Sequence, residues 1–248
     1  MVSVWGLTDR GIVRRENQDS CAYEIIEDGD LAWGVVCDGM GGAKAGDIAS
    51  KMAVETFCAH LEQLRDLEGP PPAADLLLAA AEDANRVVYL KAETDRDCVG
   101  MGTTLVGMIL RGTTLWVVNV GDSRAYLLRE GAFTQVTRDH SLVQELVDQG
   151  VLTQEQAAHH PMRNVITRAV GTDETVEVDM ITRERCKGDM WLLCSDGLSG
   201  MVSDEEMAGI LRECAPEAAA DRLLQAALDH GGRDNISFVI LKDQEGAQ

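Results

Sequence analysis

Four aspartates stand at turns, three of them after short apolar, β-prone runs, and their residue types point to one kind of chemistry. The run Leu31 to Cys37 ends in Asp38-Gly39-Met40-Gly41-Gly42, and Trp191-Leu192-Leu193-Cys194-Ser195 ends in Asp196-Gly197. Val120-Gly121-Asp122-Ser123 and Gly232-Arg233-Asp234-Asn235 add two more acidic turns. A carboxylate placed where a strand stops and glycine lets the backbone turn can offer its side chain and a neighbouring carbonyl to a hard cation. Asp38, Asp196 and Asp234 are expected to converge at one rim. Oxygen ligands without His or Cys select Mg²⁺ or Mn²⁺ over zinc. Two such ions about 3.5–4 Å apart activate a water and polarise a phosphoryl group for in-line attack, so the chemistry expected is hydrolysis of a phosphate ester. One Asp-Gly alone is more often a hairpin corner than a ligand. The combination carries the expectation, because buried strand ends do not ordinarily hold carboxylates without a cation to neutralise them.

Other routes to phosphate chemistry are closed. None of the residues six positions past the seven cysteines is Arg, as a cysteine phosphatase loop requires, and neither G-x-S-x-G nor G-x-x-x-x-G-K-[ST] occurs. The odd cysteine count without C-x-x-C argues against a disulfide framework or a zinc knuckle. With 22 basic against 42 acidic residues, net −20, the chain lacks the positive footprint of a nucleic-acid or anionic-membrane binder. No apolar run approaches the roughly 18 residues of a membrane span, and Met1 to Trp5 carries no basic-then-apolar leader pattern. A cytoplasmic protein is expected.

The elements that must position these aspartates follow from periodicity. Val2 to Leu7 reads as a strand, and Cys21 to Ile26 with Leu31 to Cys37 as a hairpin turning at Glu27-Asp28-Gly29-Asp30. Asp19 then lies beside the strand whose partner delivers Asp38. Ala43 to about Leu64 has helical spacing, broken by Glu68-Gly69-Pro70-Pro71-Pro72, and a second amphipathic helix runs from Asp75 to about Lys91 before a polar loop, Glu93 to Gly100. Thr103 to Leu110, Thr114 to Val120, Ala125 to Leu128 and Phe133 to Val136 read as an antiparallel meander. Ser141 opens a short helix, and Thr153/Gln156 and Ser203/Glu206 match capping boxes. His159 to Thr175 is expected to be a mobile surface segment. Strands at Val176 to Ile181, Asp189 to Cys194 and Ile236 to Leu241, and a helix from Pro216 to His230, complete the chain. The predicted class is α+β: a β-sandwich of two antiparallel sheets flanked by pairs of helices, one domain over residues 1–248 without a linker.

The same residues resemble a known family, the metal-dependent protein serine/threonine phosphatases of the protein phosphatase 2C or PPM type, in their compact bacterial form. The resemblance runs in order through Arg14 with Asn17-Gln18-Asp19-Ser20, Cys37-Asp38-Gly39-Met40-Gly41-Gly42, Gly102-Thr103-Thr104, Val120-Gly121-Asp122-Ser123-Arg124, Arg138-Asp139-His140, Ile166-Thr167-Arg168-Ala169-Val170-Gly171, Ser195-Asp196-Gly197-Leu198 and Gly232-Arg233-Asp234-Asn235-Ile236-Ser237. It implies an α-β-β-α sandwich with two Mn²⁺ or Mg²⁺ ions at one end. By the family's pattern Asp38 bridges both ions, the Gly39 carbonyl binds one, and Asp196 and Asp234 complete the other. Asp19 orients metal-bound waters, Asp122 matches a ligand of a weaker third ion, and Arg14 grips the substrate phosphate.

Three departures from that pattern stand out. Met40 replaces a His proposed as general acid in some members, and Met cannot donate a proton. Gly200 stands where relatives commonly add an Asp to the third site, and Gln18 replaces an acid. The segment 141–170 resembles the family's flap beside the catalytic rim. The resemblance implies a monomer that dephosphorylates phosphoserine and phosphothreonine in proteins, opposing a Ser/Thr kinase, with a catalytically silent phosphoprotein-binding module as the alternative. His140 is expected to be a structural polar contact, and His159 and His160 surface residues.

Overall fold

The computed structural model describes residues 2–26, 31–63 and 73–243. Two antiparallel sheets form its centre. One has the strand order β1 (Val2–Asp9), β11 (Ile236–Asp243), β10 (Met190–Cys194), β7 (Arg124–Arg129), β8 (Ala132–Gln135). The other runs β2 (Asp19–Ile26), β3 (Leu31–Met40), β5 (Leu105–Arg111), β6 (Thr114–Val120), β9 (Asp179–Glu184), with the two-residue β4 (Gly102–Thr103) paired to the end of β3. Helices α1 (Gly42–Glu62) and α2 (Ala73–Thr94) go with the second sheet, and α6 (Asp204–Glu213) and α7 (Pro216–Asp229) with the first.

Strand alternation builds the layers, since successive side chains leave a strand on opposite faces. Along β10, Trp191 and Leu193 enter the core between the sheets, where they join Val36, Met108, Val117, Val239 and Leu241. Leu192 and Cys194 face the other way, into a cluster with Leu211 and Leu223 of the helix pair α6/α7. Along β3, Trp33, Val35 and Cys37 meet Phe57, Leu61, Leu77 and Val88 of α1 and α2. The predicted layers are therefore present, with α1 and α2 nearly as read.

Several local expectations are corrected. The four-strand meander is split: β5 and β6 lie in one sheet and β7 and β8 in the other, so the chain changes sheets at Gly121-Asp122-Ser123. Alternation alone does not distinguish a hairpin from a crossing between sheets. Thr103 to Leu110 is interrupted at Thr104, and the expected loop from Glu93 begins inside α2 and includes a 3₁₀ turn, Arg96–Cys98. The strand expected over Val176 to Ile181 is β9, shifted to Asp179–Glu184. The segment expected to be mobile is tied in: Ser141 bridges Ile166, Thr103 bridges Val170, and Ala169 and Val170 are buried. Thr153 and Gln156 form the reciprocal capping box at α4 (Gln154–Ala158). At α6 Ser203 accepts from the Glu206 N–H, but the Glu206 carboxylate meets His230 at 3.0 Å instead of reaching back. The turn expected at 27–30 and the break at 68–72 lie outside the described residues.

Candidate active site

Asp38 sits where β3 outruns β5 while still paired with β2. Its N–H donates to Thr104 Oγ1 at 2.9 Å, and its carbonyl accepts from the Thr104 N–H at 2.8 Å and from Thr103 Oγ1 at 2.9 Å. Thr104 Oγ1 also lies 2.7 Å from Ser123 Oγ, so the strand break at Thr104 links the Asp38 corner to the Asp122-Ser123 corner. Only glycine fits at position 39, because a Cβ there would run into the carbonyls of Gly46 and Gln18. Asp196 begins a four-residue helix, α5 (Asp196–Ser199), that periodicity did not foretell. A Cβ at Gly197 would strike the Asn235 carbonyl, so glycine is what lets the Asp196 turn lie against the Asp234 turn.

Asp38, Gly39, Asp122, Asp196 and Asp234 line one cleft of about 650 Å³ together with Arg14, Arg15, Gln18 and Met40, and Asn164 and Ile166 close another side. Residues from six separate stretches of chain are thereby brought together. Asp38 and Asp196 lie within hydrogen-bonding reach of each other, and Arg14 Nη2 donates to Asp234 Oδ2 at 2.6 Å. Asp19 is not in the cleft wall. It faces Asp38 across the β2/β3 ladder, buried, with Oδ2 accepting from Ser195 Oγ at 2.7 Å and Oδ1 without a partner among the described residues.

Burial, and then the other aspartates, raises these acids. Asp38 is held well above the usual carboxylate range by desolvation first, then by Asp19, Asp196, Asp122 and Asp234. Asp19 is pushed up to about 7 by burial, offset in part by its hydroxyl partners, and Asp122 to about 7 by burial and by Asp196. Asp196 is also raised, by burial and by Asp234. Carboxylates this close cannot all ionise unless positive charge joins them.

The residues fit a pair of hard divalent ions. The donor set is all oxygen, and Asp196 Oδ1 and Asp19 Oδ1 are buried polar atoms with no protein partner among the described residues. Among the described residues no group of three or more His, Cys, Asp or Glu side chains is by itself arranged to hold a metal ion. A closed cage is not what Mg²⁺-like ions need, since they keep several waters and take one or two carboxylates.

Asn235, which sequence reasoning missed, holds the site's two sides together. It is buried; its Oδ1 accepts from the Gln18 N–H at 2.8 Å, and its Nδ2 donates to the carbonyls of Arg10 and Glu16 at 2.9 and 3.0 Å. It thus fastens the loop carrying Arg14 to the turn carrying Asp234. Gln18 is fixed by its Nε2, which donates to the Gly42 carbonyl at 2.6 Å. His140 is the structural contact expected: buried, with Nδ1 accepting from the Gly121 N–H at 3.0 Å and Nε2 3.2 Å from Asp179. His159 is exposed, and His160 Nδ1 accepts from the Met162 N–H at 3.2 Å.

The family model for protein phosphatase 2C matches residues 13–230, a span that includes every residue of the cleft wall except those at 234 and 235. The chain belongs to the protein phosphatase 2C family. It is similar to the serine/threonine protein phosphatase PstP of Mycobacterium tuberculosis, 41% identical over 236 residues. That match covers 94% of this chain and 43% of the relative, so the chain spans less than half the length of PstP. It is 38% identical to the serine/threonine phosphatase stp of Listeria monocytogenes over 237 residues, 95% of this chain and 93% of the relative. The solved catalytic domain of PstP in complex with two manganese ions superposes with a TM-score of 0.85 at 38% identity, covering 98% of this chain and 99% of that one. The sandwich is thus that of the protein phosphatase 2C family. No helix among the described residues is long and apolar enough to cross a membrane.

Proposed function

We propose that this protein removes phosphate from phosphoserine and phosphothreonine in proteins, using two Mn²⁺ or Mg²⁺ ions. The observation that carries the reading is the convergence of Asp38, Asp122, Asp196 and Asp234 with Arg14 in one cleft, where most of the acids are held above their ordinary range. Asp38, the Gly39 carbonyl, Asp196 and Asp234 would hold the two ions, with Asp122 toward a weaker third. Bound there, the ions would supply an activated water and stabilise charge on the transferring phosphoryl group. Arg14 would bind phosphate oxygens with the N–H groups that its Asp234 pair leaves over, since its side chain is half exposed. Asp19, held by Ser195 behind Asp38, would orient the ions' waters.

Met40 lines the cleft but has no proton to give, and among the described residues no His stands in its wall. Leaving-group protonation falls to water. Segment 141–170 would act as the flap of a single phosphatase domain, and its Asn164 and Ile166 already form part of the wall. Phosphoproteins in the cytoplasm, under a Ser/Thr kinase, would be the substrates of a monomer. A silent binding module has no use for this concentration of buried acid.

Hydrolysis of p-nitrophenyl phosphate and of a phosphothreonine peptide, with Mn²⁺ and with EDTA, tests the reading. Activity undiminished in EDTA would overturn it.

A further inference from the structure

The rim of the cleft carries positive charge in a protein that is otherwise acidic. Two loops meet there: Ile12 N–H donates to the Gly232 carbonyl at 2.8 Å and Val13 N–H to the same oxygen at 3.3 Å. The junction is tight, because Gly11 has φ +75 and its added Cβ would strike the Asp234 carbonyl. The paired loops present Arg10, Arg15 and Arg233, all exposed, and none has a carboxylate partner among the described residues. Arg10 donates only to the Arg15 carbonyl, at 3.4 Å. Elsewhere arginines of this chain are mostly engaged with acids, as Arg124 is with Asp139, Arg129 with Asp189 and Arg185 with Asp243. In a chain with 42 acidic and 22 basic residues, three unengaged arginines on one loop pair are a local reversal of sign.

Their position gives that reversal a use. Arg15 itself lines the cleft, one residue from Arg14, and Glu16 is the single acid of loop 10–16 in the same wall. Between the arginines, Ile12 and Val13 are 63% and 64% exposed, a large apolar surface beside the charge. A phosphorylated side chain reaching down to Arg14 lays its neighbouring residues over this ledge.

We propose that the ledge formed by Arg15, Arg233 and Arg10 is a docking subsite for a second anionic group on the substrate, close in sequence to the phosphate being removed. This role rests on the phosphatase function proposed for the cleft. The substrate class the ledge selects is the phosphopeptide flanked by a carboxylate or by another phosphate. Both offer acceptor oxygens to an arginine fork, and the second phosphate brings close to two charges. The ledge also offsets, locally, the repulsion that a net charge of −20 exerts on any anionic peptide.

The test compares kcat/KM for four phosphothreonine peptides that differ only in the flank: two glutamates, a second phosphoserine, two glutamines or two lysines. The Mn²⁺-loaded protein is assayed alongside Arg15→Gln, Arg15→Lys and the double variant Arg15→Gln/Arg233→Gln. Exposed charge pairs are individually weak and screened by salt, so the wild type should favour the glutamate flank over glutamine by only about three- to ten-fold, with the preference shrinking at high salt. The double variant should bring the ratio close to one, and Arg15→Lys should restore most of it. A larger preference for the phosphoserine flank than for glutamate would identify a second phosphate as the better occupant; the reverse would identify the carboxylate. Equal rates on all four peptides would overturn the ledge while leaving the phosphatase reading intact. No hydrolysis of any peptide would overturn the phosphatase reading.

Discussion

Arg14 and Asp234 are joined by a 2.6 Å ion pair across the cleft, so the residue assigned to phosphate and a residue assigned to metal hold one another. They come from opposite ends of the chain, 220 residues apart. A cation at Asp234 competes with Arg14 for the carboxylate, and so changes the charge and position of the guanidinium that meets phosphate; the two binding events are therefore linked. Arg14→Ala should lower kcat/KM on p-nitrophenyl phosphate by about 10²-fold, the loss typical of a charge-stabilising donor. Asp234→Asn should raise the Mn²⁺ concentration needed for half-maximal activity. The double variant should lose less than the sum of the two, because each single change already breaks the pair. Strictly additive losses would show that the pair has no part in either event.

Asp38 is surrounded by acids, which makes its replacement informative in two directions. Asp38→Asn should abolish turnover. It should also leave the EDTA-treated protein at least as stable as wild type, since the amide removes a buried carboxyl from the field of Asp19, Asp196, Asp122 and Asp234. Thermal melting of both proteins in EDTA checks this. A melting temperature several degrees lower for the variant would mean that Asp38 is needed for folding.

Stability without metal should fall as pH rises. Asp19 and Asp122 each titrate near 7 in the folded protein, above the roughly 3.9 of an unfolded Asp. A folded pKa raised in this way means the native state binds more protons, so the contribution is full below about 4 and is lost as pH climbs through about 7. The EDTA-treated protein should therefore lose stability between pH 5 and 8, Asp122→Asn should flatten part of that slope, and the gain on adding Mn²⁺ should be larger at pH 8 than at pH 5.5. Asp122→Ala should reduce activity only in part. A Mn²⁺ gain independent of pH would contradict the picture of acids held protonated in the cleft.

Asn235→Ala removes one acceptor and two donated hydrogen bonds from a buried position, leaving the Gln18 N–H and the Arg10 and Glu16 carbonyls to find new partners. Each buried group left unsatisfied costs about 1–3 kcal/mol, so urea unfolding should show a loss of at least about 2 kcal/mol. The Arg14 loop should loosen with it, raising KM for phosphopeptides. Unchanged stability would mean that solvent reaches these groups.

Asn235 also marks where sequence reasoning stops. The Asp38 and Asp196 corners are legible because each is an apolar run closed by Asp-Gly, a pattern contained within about seven residues. The bonds that Asn235 makes reach residues 217 to 225 positions away, and no local periodicity encodes them. Its one visible signal is its place beside Asp234 in Gly232-Arg233-Asp234-Asn235. The change of sheet at Gly121 escapes for a related reason: β6 and β7 have the same alternating pattern whether they pair with each other or with β5 and β10. Segment 159–175 is polar enough to read as loose, yet Arg168 bonds Asp179 at 2.8 Å, and the buried Asn85 accepts from the Gly171 N–H at 2.7 Å. Such anchors depend on α2 and β9 having been placed first.

His140 supplies a pH dependence of the opposite sign at the neighbouring corner. Its ring is buried beneath the turn that carries Asp122, and burial holds its pKa below the ordinary 6.5, with the Asp179 contact opposing that shift and Arg168, 3.0 Å from Nε2, adding to it. Because Nδ1 accepts from the Gly121 N–H, the neutral ring carries its hydrogen on Nε2, toward Asp179. Protonation would place a donor on Nδ1 against that N–H. A folded pKa lowered below the unfolded value means the native state binds fewer protons: the contribution is full above about 6.5 and is lost as pH falls through the folded pKa. His140→Gln should therefore destabilise the protein most at pH 7.5, with the difference from wild type narrowing at pH 5.5. Urea unfolding of both proteins at the two pH values measures it. A difference that widens toward low pH would mean that the ring is held in its charged form by Asp179.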